Sequence, residues 1–251
     1  MTPKFSIVCP IKDEVNLIQK TLPSFYAIGP SEVILCLDKP AQKQVVEIIK
    51  KVAKICNAEN ITRIIEVEKN PEYAFHQAWV RRKGFLAAKN DLILTTDIDI
   101  IINPRIKEHF NLIKDDIKLI SFSKFSYPIT VRTAMAWLIQ KFYYHESFTG
   151  LYVFSKSAWL ETEDFNSLKK IRRGEDTHLH ECLIKKYRSM FISGIKNINI
   201  RPKESKQYQF RMGWNRWRIR KTPLWRVILS TFLYFRPQML SGYLKARLLL
   251  G

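Results

Sequence analysis

Asp91-Leu92-Ile93-Leu94-Thr95-Thr96-Asp97-Ile98-Asp99 is an apolar, β-rich run that closes on two carboxylates one residue apart. A run of this kind is a strand buried on both faces, and its polar end marks where the chain leaves the sheet. Working back from it, Ala74 to Lys89 has helical spacing, Arg63 to Val67 reads as a strand, and Gln42 to Cys56 as an amphipathic helix. Glu32-Val33-Ile34-Leu35-Cys36-Leu37 is a second continuous apolar run that stops at Asp38-Lys39-Pro40. Before it, Phe5 to Cys9 is a strand and Asn16 to Phe25 a helix, with Leu17, Ile18, Leu22 and Phe25 on one face. Strands and helices alternate with short links, which predicts a right-handed, mainly parallel α/β sheet with helices on both faces.

Beyond residue 100 the alternation breaks. Lys118 to Phe122 and Gly150 to Phe154 read as strands, Thr130 to Tyr144 and Gly174 to Tyr187 as helices, and Asn197 to Ile200 as a last short strand. From residue 206 the chain turns basic and aromatic, then amphipathic, so the expected division is an α/β domain over 1–205 and a helical tail over 206–251.

Forty-two Lys and Arg against 23 acids give a net charge of +19, which calls for an anionic partner. Thirteen of those cations and only one acid, Glu204, fall in residues 196–251. Four scattered cysteines form no Cys-x-x-Cys pair, and no secretory leader precedes the first strand, so reduced thiols in a cytoplasmic setting are expected. The longest uncharged apolar run, Val227 to Phe235, is far short of the roughly 20 residues that span a bilayer.

In open α/β sheets ligands bind beyond the carboxyl ends of the strands. The polar residues there are Asp13 and Glu14 after the first strand, Asp38 after the second, and Asp97 and Asp99 after the fourth. Glu175 and Asp176 open the late helix. The Asp97/Asp99 pair suits Mg²⁺ or Mn²⁺, which take oxygen ligands from one or two carboxylates and a substrate's phosphates. Helix capping is the competing reading of Asp13, Glu14, Glu175 and Asp176, and a simple turn that of Asp38. Among Arg81, Arg82 and Lys83, which fan around a helix, at most one or two can reach a diphosphate. The five histidines show no His-Glu-x-x-His or paired spacing, and His178 and His180 point to different faces, so metal binding through them is not expected.

Taken in order, these segments resemble family 2 glycosyltransferases of the GT-A fold, of the membrane-associated type. Ser6 to Leu17, with Pro10 and Glu14, is similar to that family's opening strand, Pro-x-x-Asn-Glu turn and helix start, with Asp13 where Asn is usual. Arg81 to Asp99 resembles its helix and Asp-x-Asp strand, with Asn90 in place of Gly. Phe148-Thr149-Gly150 and Gly174-Glu175-Asp176-Thr177-His178-Leu179 resemble its acceptor-side segments. The resemblance implies a nucleotide-diphosphate sugar donor. Pro10, Asp13, Glu14 and Arg81 would lie on the donor side and Asp38 on the base. Asp97 and Asp99 would serve the ribose and a metal-bound diphosphate, Thr149 and Gly150 the acceptor, and Asp176 would be the general base beside Glu175. It further implies hexosyl transfer with inversion. The Gln-x-x-Arg-Trp motif of processive members is missing, so transfer of a single sugar is expected.

Arg211, Arg216, Arg218 and Arg220 are interleaved with Trp214 and Trp217, a composition that suits phosphates and the wet edge of a bilayer. Two amphipathic segments follow, Leu224 to Phe235 and Met239 to Leu250. They suit a peripheral place on the cytoplasmic membrane face with a lipid-linked or glycan acceptor; packing on the domain or an oligomer contact are the alternatives. A nucleic-acid- or phosphate-binding basic protein would use the same cations but leaves the strand-end acids unexplained, so no nucleic-acid partner is expected. A catalytically inactive scaffold of the same fold is the other alternative. A nucleotidyltransferase would want a Gly-rich basic loop where Pro10 to Glu14 is acidic.

Overall fold

A computed structural model of the chain describes residues 3–12, 14–73, 75–127, 150–163, 175–200, 206–218, 221–233 and 236–250. The expected helix over Thr130 to Tyr144 lies outside them, as do Asp13, Thr149, Arg220 and the side chains of Glu175 and Asp176. The chain divides into two compact units, one drawn from Met1–Phe125 and Glu146–Ile200, the other from Ser126–His145 and Arg201–Gly251.

In the first unit, β1 (Phe5–Ile11), β2 (Glu32–Asp38), β3 (Thr62–Val67) and β4 (Leu92–Thr95) are linked by α1 (Val15–Ala27), α2 (Lys43–Ile55) and α3 (His76–Ala87). These four strands are parallel: Ser6 pairs with Glu32, Phe5 with Leu92, and Val33 with Thr62. After β5 (Ile100–Ile101) come β6 (Ile117–Ser126), β7 (Tyr152–Ser155), α4 (Lys156–Thr162), α5 (Glu175–Leu183) and β8 (Arg188–Asn199). The sheet order is β3-β2-β1-β4-β7-β6-β8-β5, and β7 runs antiparallel to both β4 and β6.

Successive strand residues point to opposite faces, so each strand feeds two cores. Phe5, Ile7 and Cys9 of β1, with Val33, Leu35 and Leu37 of β2, meet Ile18, Leu22 and Phe25 of α1 and Val45 and Ile49 of α2. Val8, Ile34, Cys36 and Ile93 face the other way, onto Val80 and Phe85 of α3, Trp159 of α4 and Leu179 of α5. This places helices on both faces, as expected. Cys9, Cys36 and Cys182 are buried and, like Cys56, free thiols.

Two expectations for the second half are corrected. The last strand spans twelve residues instead of the short run Asn197 to Ile200, and the helix expected to reach Tyr187 ends at Leu183. The reason is a turn: the Tyr187 N–H donates to the Leu183 carbonyl, and Arg188 then donates to Asp116, which starts the strand.

Glu32 ties the non-site end of the sheet together. Its buried carboxylate accepts from Ser6 Oγ at 2.9 Å, the Lys89 N–H at 3.0 Å and Arg63 Nη1 at 2.5 Å. Burial disfavours its charge, but these three donors outweigh burial and hold the carboxyl below its usual range. A lowered folded pKa contributes stability above the unfolded value and loses it as pH falls through the folded one. Glu32→Gln is therefore expected to cost about 1.5–3 kcal/mol at neutral pH. The gap from wild type should close as the pH of urea melts is taken below the ordinary carboxylate range.

The second unit holds α6 (Lys206–Arg218), α7 (Leu224–Leu233) and α8 (Pro237–Leu250). Val227, Met239 and Tyr243 form its core, packed by Met212, Trp217, Leu224 and Leu240. Backbones of α6 and α8 meet at two glycines: a Cβ on Gly213 would lie 1.8 Å from the Met239 carbonyl oxygen, and one on Gly242 2.0 Å from that of Phe210. Trp225, Ile228, Leu229 and Phe232 of α7, spaced for one helix face, stay exposed, Trp225 by 61% and Phe232 by 72%. Among the described residues no helix is long and apolar enough to cross a membrane.

Candidate functional site

β1, β2 and β4 are parallel, so Pro10 and Glu14, Asp38 and Asp97 all lie at one edge of the sheet. Glu14 does not use its side chain to cap α1. Its carboxylate turns back to accept the Lys12 N–H at 2.9 Å, while its carbonyl receives the N–H groups of Leu17 and Ile18. Asp38 ends β2, and its Oδ1 lies 3.0 Å from Nε2 of His76, the first residue of α3.

Of the three consecutive cations on α3, Arg81 turns inward. It is 3% exposed, donates from Nη1 to Thr95 Oγ1 at 2.7 Å, and pairs through Nη2 with Asp97 Oδ1. Arg82 instead bonds the Tyr73 hydroxyl, and Lys83 sits over the Trp79 ring. Asp97 keeps 21% of its side chain exposed. Its second oxygen faces Gly150, whose φ of +64° favours glycine; a Cβ there would lie 2.9 Å from Asp97 Oδ2 and 3.5 Å from Lys124 Nζ. Gly150, expected on the acceptor side, thus borders Asp97 directly.

The two aspartates are not presented alike. Asp99 is 3% exposed, accepts from Asn199 Nδ2 at 3.2 Å, and its carbonyl receives the Ile200 N–H, so β8 holds it in place. The carboxylates are oxygen donors of the kind Mg²⁺ and Mn²⁺ require, with Asp97 the more open. Behind them burial pushes the Cys36 thiol up to about 12, against the opposing pull of Arg81, and Cys9 is raised in the same way. Both are neutral packing groups, not nucleophiles.

α5 begins at Glu175, which puts Asp176 in its first turn. Further along the same helix is a cluster that sequence spacing did not lead us to expect. His178 Nε2 lies 3.0 Å from Glu163 Oε1 and 3.5 Å from Cys182 Sγ. Burial opposes the charging of His178, but Cys182 and Glu163 outweigh it and push the imidazole up to about 9. His180 turns away, to Ser189 Oγ at 3.1 Å, in line with the two-faces expectation.

Of the four tail arginines, Arg211 and Arg218 are exposed and seven apart on α6, hence on one face. Arg216 instead donates to Ser230 Oγ of α7 at 2.9 Å and joins two helices. His76, Thr95, Lys124 and Asn199 are the neighbours of the site that sequence reasoning missed. None follows a strand at a spacing that marks it, apart from Thr95, which reads there as strand.

The chain matches the sequence profile described as "Glycosyl transferase family 2" over residues 6–171. A search of curated proteins found no match. Among solved structures, the mannosyltransferase PcManGT from Pyrobaculum calidifontis, in complex with GDP-Man and Mn²⁺, is similar at 13% identity and a TM-score of 0.63, over 98% of this chain and 74% of that one. Glucosyl-3-phosphoglycerate synthase from Mycobacterium tuberculosis, with Mn²⁺, UDP-glucose and phosphoglyceric acid, is similar at 14% identity and 0.58, over 92% and 78%. A 4-diphosphocytidyl-2C-methyl-D-erythritol synthase from Anaerococcus prevotii is similar at 13% and 0.55, over 83% and 94%. At these identities the likeness is one of fold.

Proposed function

The chain belongs to glycosyltransferase family 2 and is a glycosyltransferase of the GT-A fold, and on that premise we propose a metal-dependent, inverting hexosyltransferase. It would move one sugar from a nucleotide-diphosphate donor to a lipid-linked or glycan acceptor at the cytoplasmic face of a membrane. The observation that carries this reading is the partly exposed carboxylate of Asp97, paired with buried Arg81 at the edge where Asp38 and Glu14 also lie. That neighbouring proteins hold Mn²⁺ with GDP-Man or UDP-glucose supports the same class of donor and cation.

Asp38 would receive the base, with His76 on one of its oxygens leaving the other to accept from a base N–H. Asp97 and Asp99 would hold Mg²⁺ or Mn²⁺, which neutralises charge on the departing diphosphate when bound. Arg81 pairs with Asp97 Oδ1 and orients the carboxylate, and Gly150, having no side chain, fits against Asp97 Oδ2. Asp176 would take the proton from an acceptor hydroxyl as it attacks the anomeric carbon from the face opposite the diphosphate.

The exposed apolar face of α7 supports the membrane part of the reading, with Arg226 beside Trp225 and the Arg211/Arg218 face on α6 as the cationic complement. The tail over 206–251 is the proposed membrane-facing element. Purified protein is expected to sediment with vesicles containing anionic lipid, less so as salt rises. Trp225→Ser with Phe232→Ser, both at exposed positions, should release it. Nucleoside diphosphate release from a panel of donors, with and without lipid acceptors, tests the activity. Turnover without any vesicle binding would remove the membrane from the proposal, and binding without turnover of any donor would leave an inactive scaffold.

A further inference from the structure

We propose that Glu163, His178 and Cys182 form a second metal site, distinct from Asp97 and Asp99, that takes a thiol-tolerant divalent cation of the Zn²⁺ type. One ligand atom from each of Glu163, His178 and Cys182 lies within 4.8 Å of the other two. Zinc bonds of about 2.0–2.3 Å in tetrahedral array place ligand atoms about 3.3–3.6 Å apart. The His–Glu separation of 3.0 Å and the His–Cys separation of 3.5 Å are close to those edges.

The hydrogen bonding by itself is poorly matched. Nε2 of His178 carries either one proton or one lone pair, yet it faces both a carboxylate and a thiol. If the thiol donates to Nε2, the carboxylate meets a nitrogen with no proton to give. If Nε2 is protonated, a single N–H is shared between oxygen and sulfur. A divalent cation accepts all three lone pairs at once, with the Cys182 proton released to solvent as the thiolate binds.

Two features complete the site. Trp159 Nε1 donates to Glu163 Oε2 at 2.5 Å, which turns Oε1 toward His178, the outer-shell arrangement that orients a ligating carboxylate. A cavity of about 20 Å³ borders Glu163 and His178, room for about one water in a fourth coordination position. Arg81 and Arg82 share the cavity wall, but a carboxylate and a thiolate cancel the charge of the cation, so they face a neutral centre. The ligands join the end of α4 to α5, the helix that Glu175 and Asp176 open. Metal binding would therefore fix the bearing of that helix and act as a positioning device.

The test uses full-length, reduced, EDTA-stripped protein titrated with Co²⁺. The expected result is sulfur-to-cobalt charge-transfer absorption with tetrahedral d–d bands, saturating at one Co²⁺ per chain, displaced by Zn²⁺ and retained in Asp99→Asn. Cys182→Ser should abolish the charge-transfer absorption while the metal-free variant melts as the metal-free wild type does. Trp159→Phe should weaken cobalt affinity about 10-fold or more. If Cys182→Ser fails to fold, Cys182→Ala takes its place, and His178→Gln must also abolish tetrahedral binding. Cobalt that binds without sulfur absorption, no cobalt binding beyond that of the Asp97/Asp99 pair, or unchanged absorption in the Cys182 variant would each overturn the site.

Discussion

Asp97→Asn is expected to lower donor-dependent turnover by about 10²–10³-fold, the usual loss when one preorganised electrostatic contact to a developing charge is removed. Asn keeps the volume and an oxygen for the Arg81 fork, so the local packing survives. What it removes is the negative charge that the proposed metal ion would meet, on the carboxylate that Gly150 borders. The loss should be strongest in metal-dependent donor binding. Replacing Asp97 with Ala should cost about 1–3 kcal/mol more stability than Asn does, because the Arg81 guanidinium, 3% exposed, then also loses the oxygen acceptor that Asn retains. A comparison of nucleoside diphosphate release with thermal melts of the two variants separates the chemical loss from the structural one. Equal activity in Asp97→Asn and wild type would remove Asp97 from the site.

Asp176→Asn is expected to lower kcat by about 10²–10⁴-fold with donor binding nearly unchanged, the range for loss of a general base. Its place in the first turn of α5 admits a purely structural role, since acidic residues there complement the helix dipole. Asparagine discriminates between the two by what is lost: giving up a charge at the helix dipole costs about 0.3–1 kcal/mol of stability and leaves turnover intact, whereas giving up the proton acceptor removes turnover. A variant that melts like wild type and has lost turnover fits the base; one with normal turnover fits the cap. Initial rates at saturating donor, with donor affinity measured separately by calorimetry, give the split from Asp97→Asn, where donor affinity itself falls.

The first hundred residues were legible because parallel strands buried on both faces must be apolar throughout. Ile34 and Leu35 show this, one feeding each core. β8 was not legible beyond its last residues because its exposed and half-buried positions, with Gly194 in the middle, blur the alternation that marks a strand. α4 is a short helix that follows β7 with no Gly or Pro between them, and its start is marked only by Ser155 Oγ accepting the Ala158 N–H. The strand-end acids could be read by position because a parallel sheet gathers its carboxyl ends. Which of the three α3 cations turns inward was settled only by packing. The His76–Asp38 pair joins residues 38 apart, and no periodicity links them. Two of the three residues of the Glu163–His178–Cys182 cluster lie within one helix, as an i, i+4 pair; the approach of Glu163 to them is a tertiary contact.

The most direct test of a nucleotide-sugar site is calorimetric titration of the purified protein with UDP, GDP and dTDP, first with Mn²⁺ and then with EDTA. Binding of one of them that requires Mn²⁺ and is lost in Asp97→Asn is the predicted result. No binding of any nucleoside diphosphate, or binding that EDTA and Asp97→Asn leave unchanged, would contradict it.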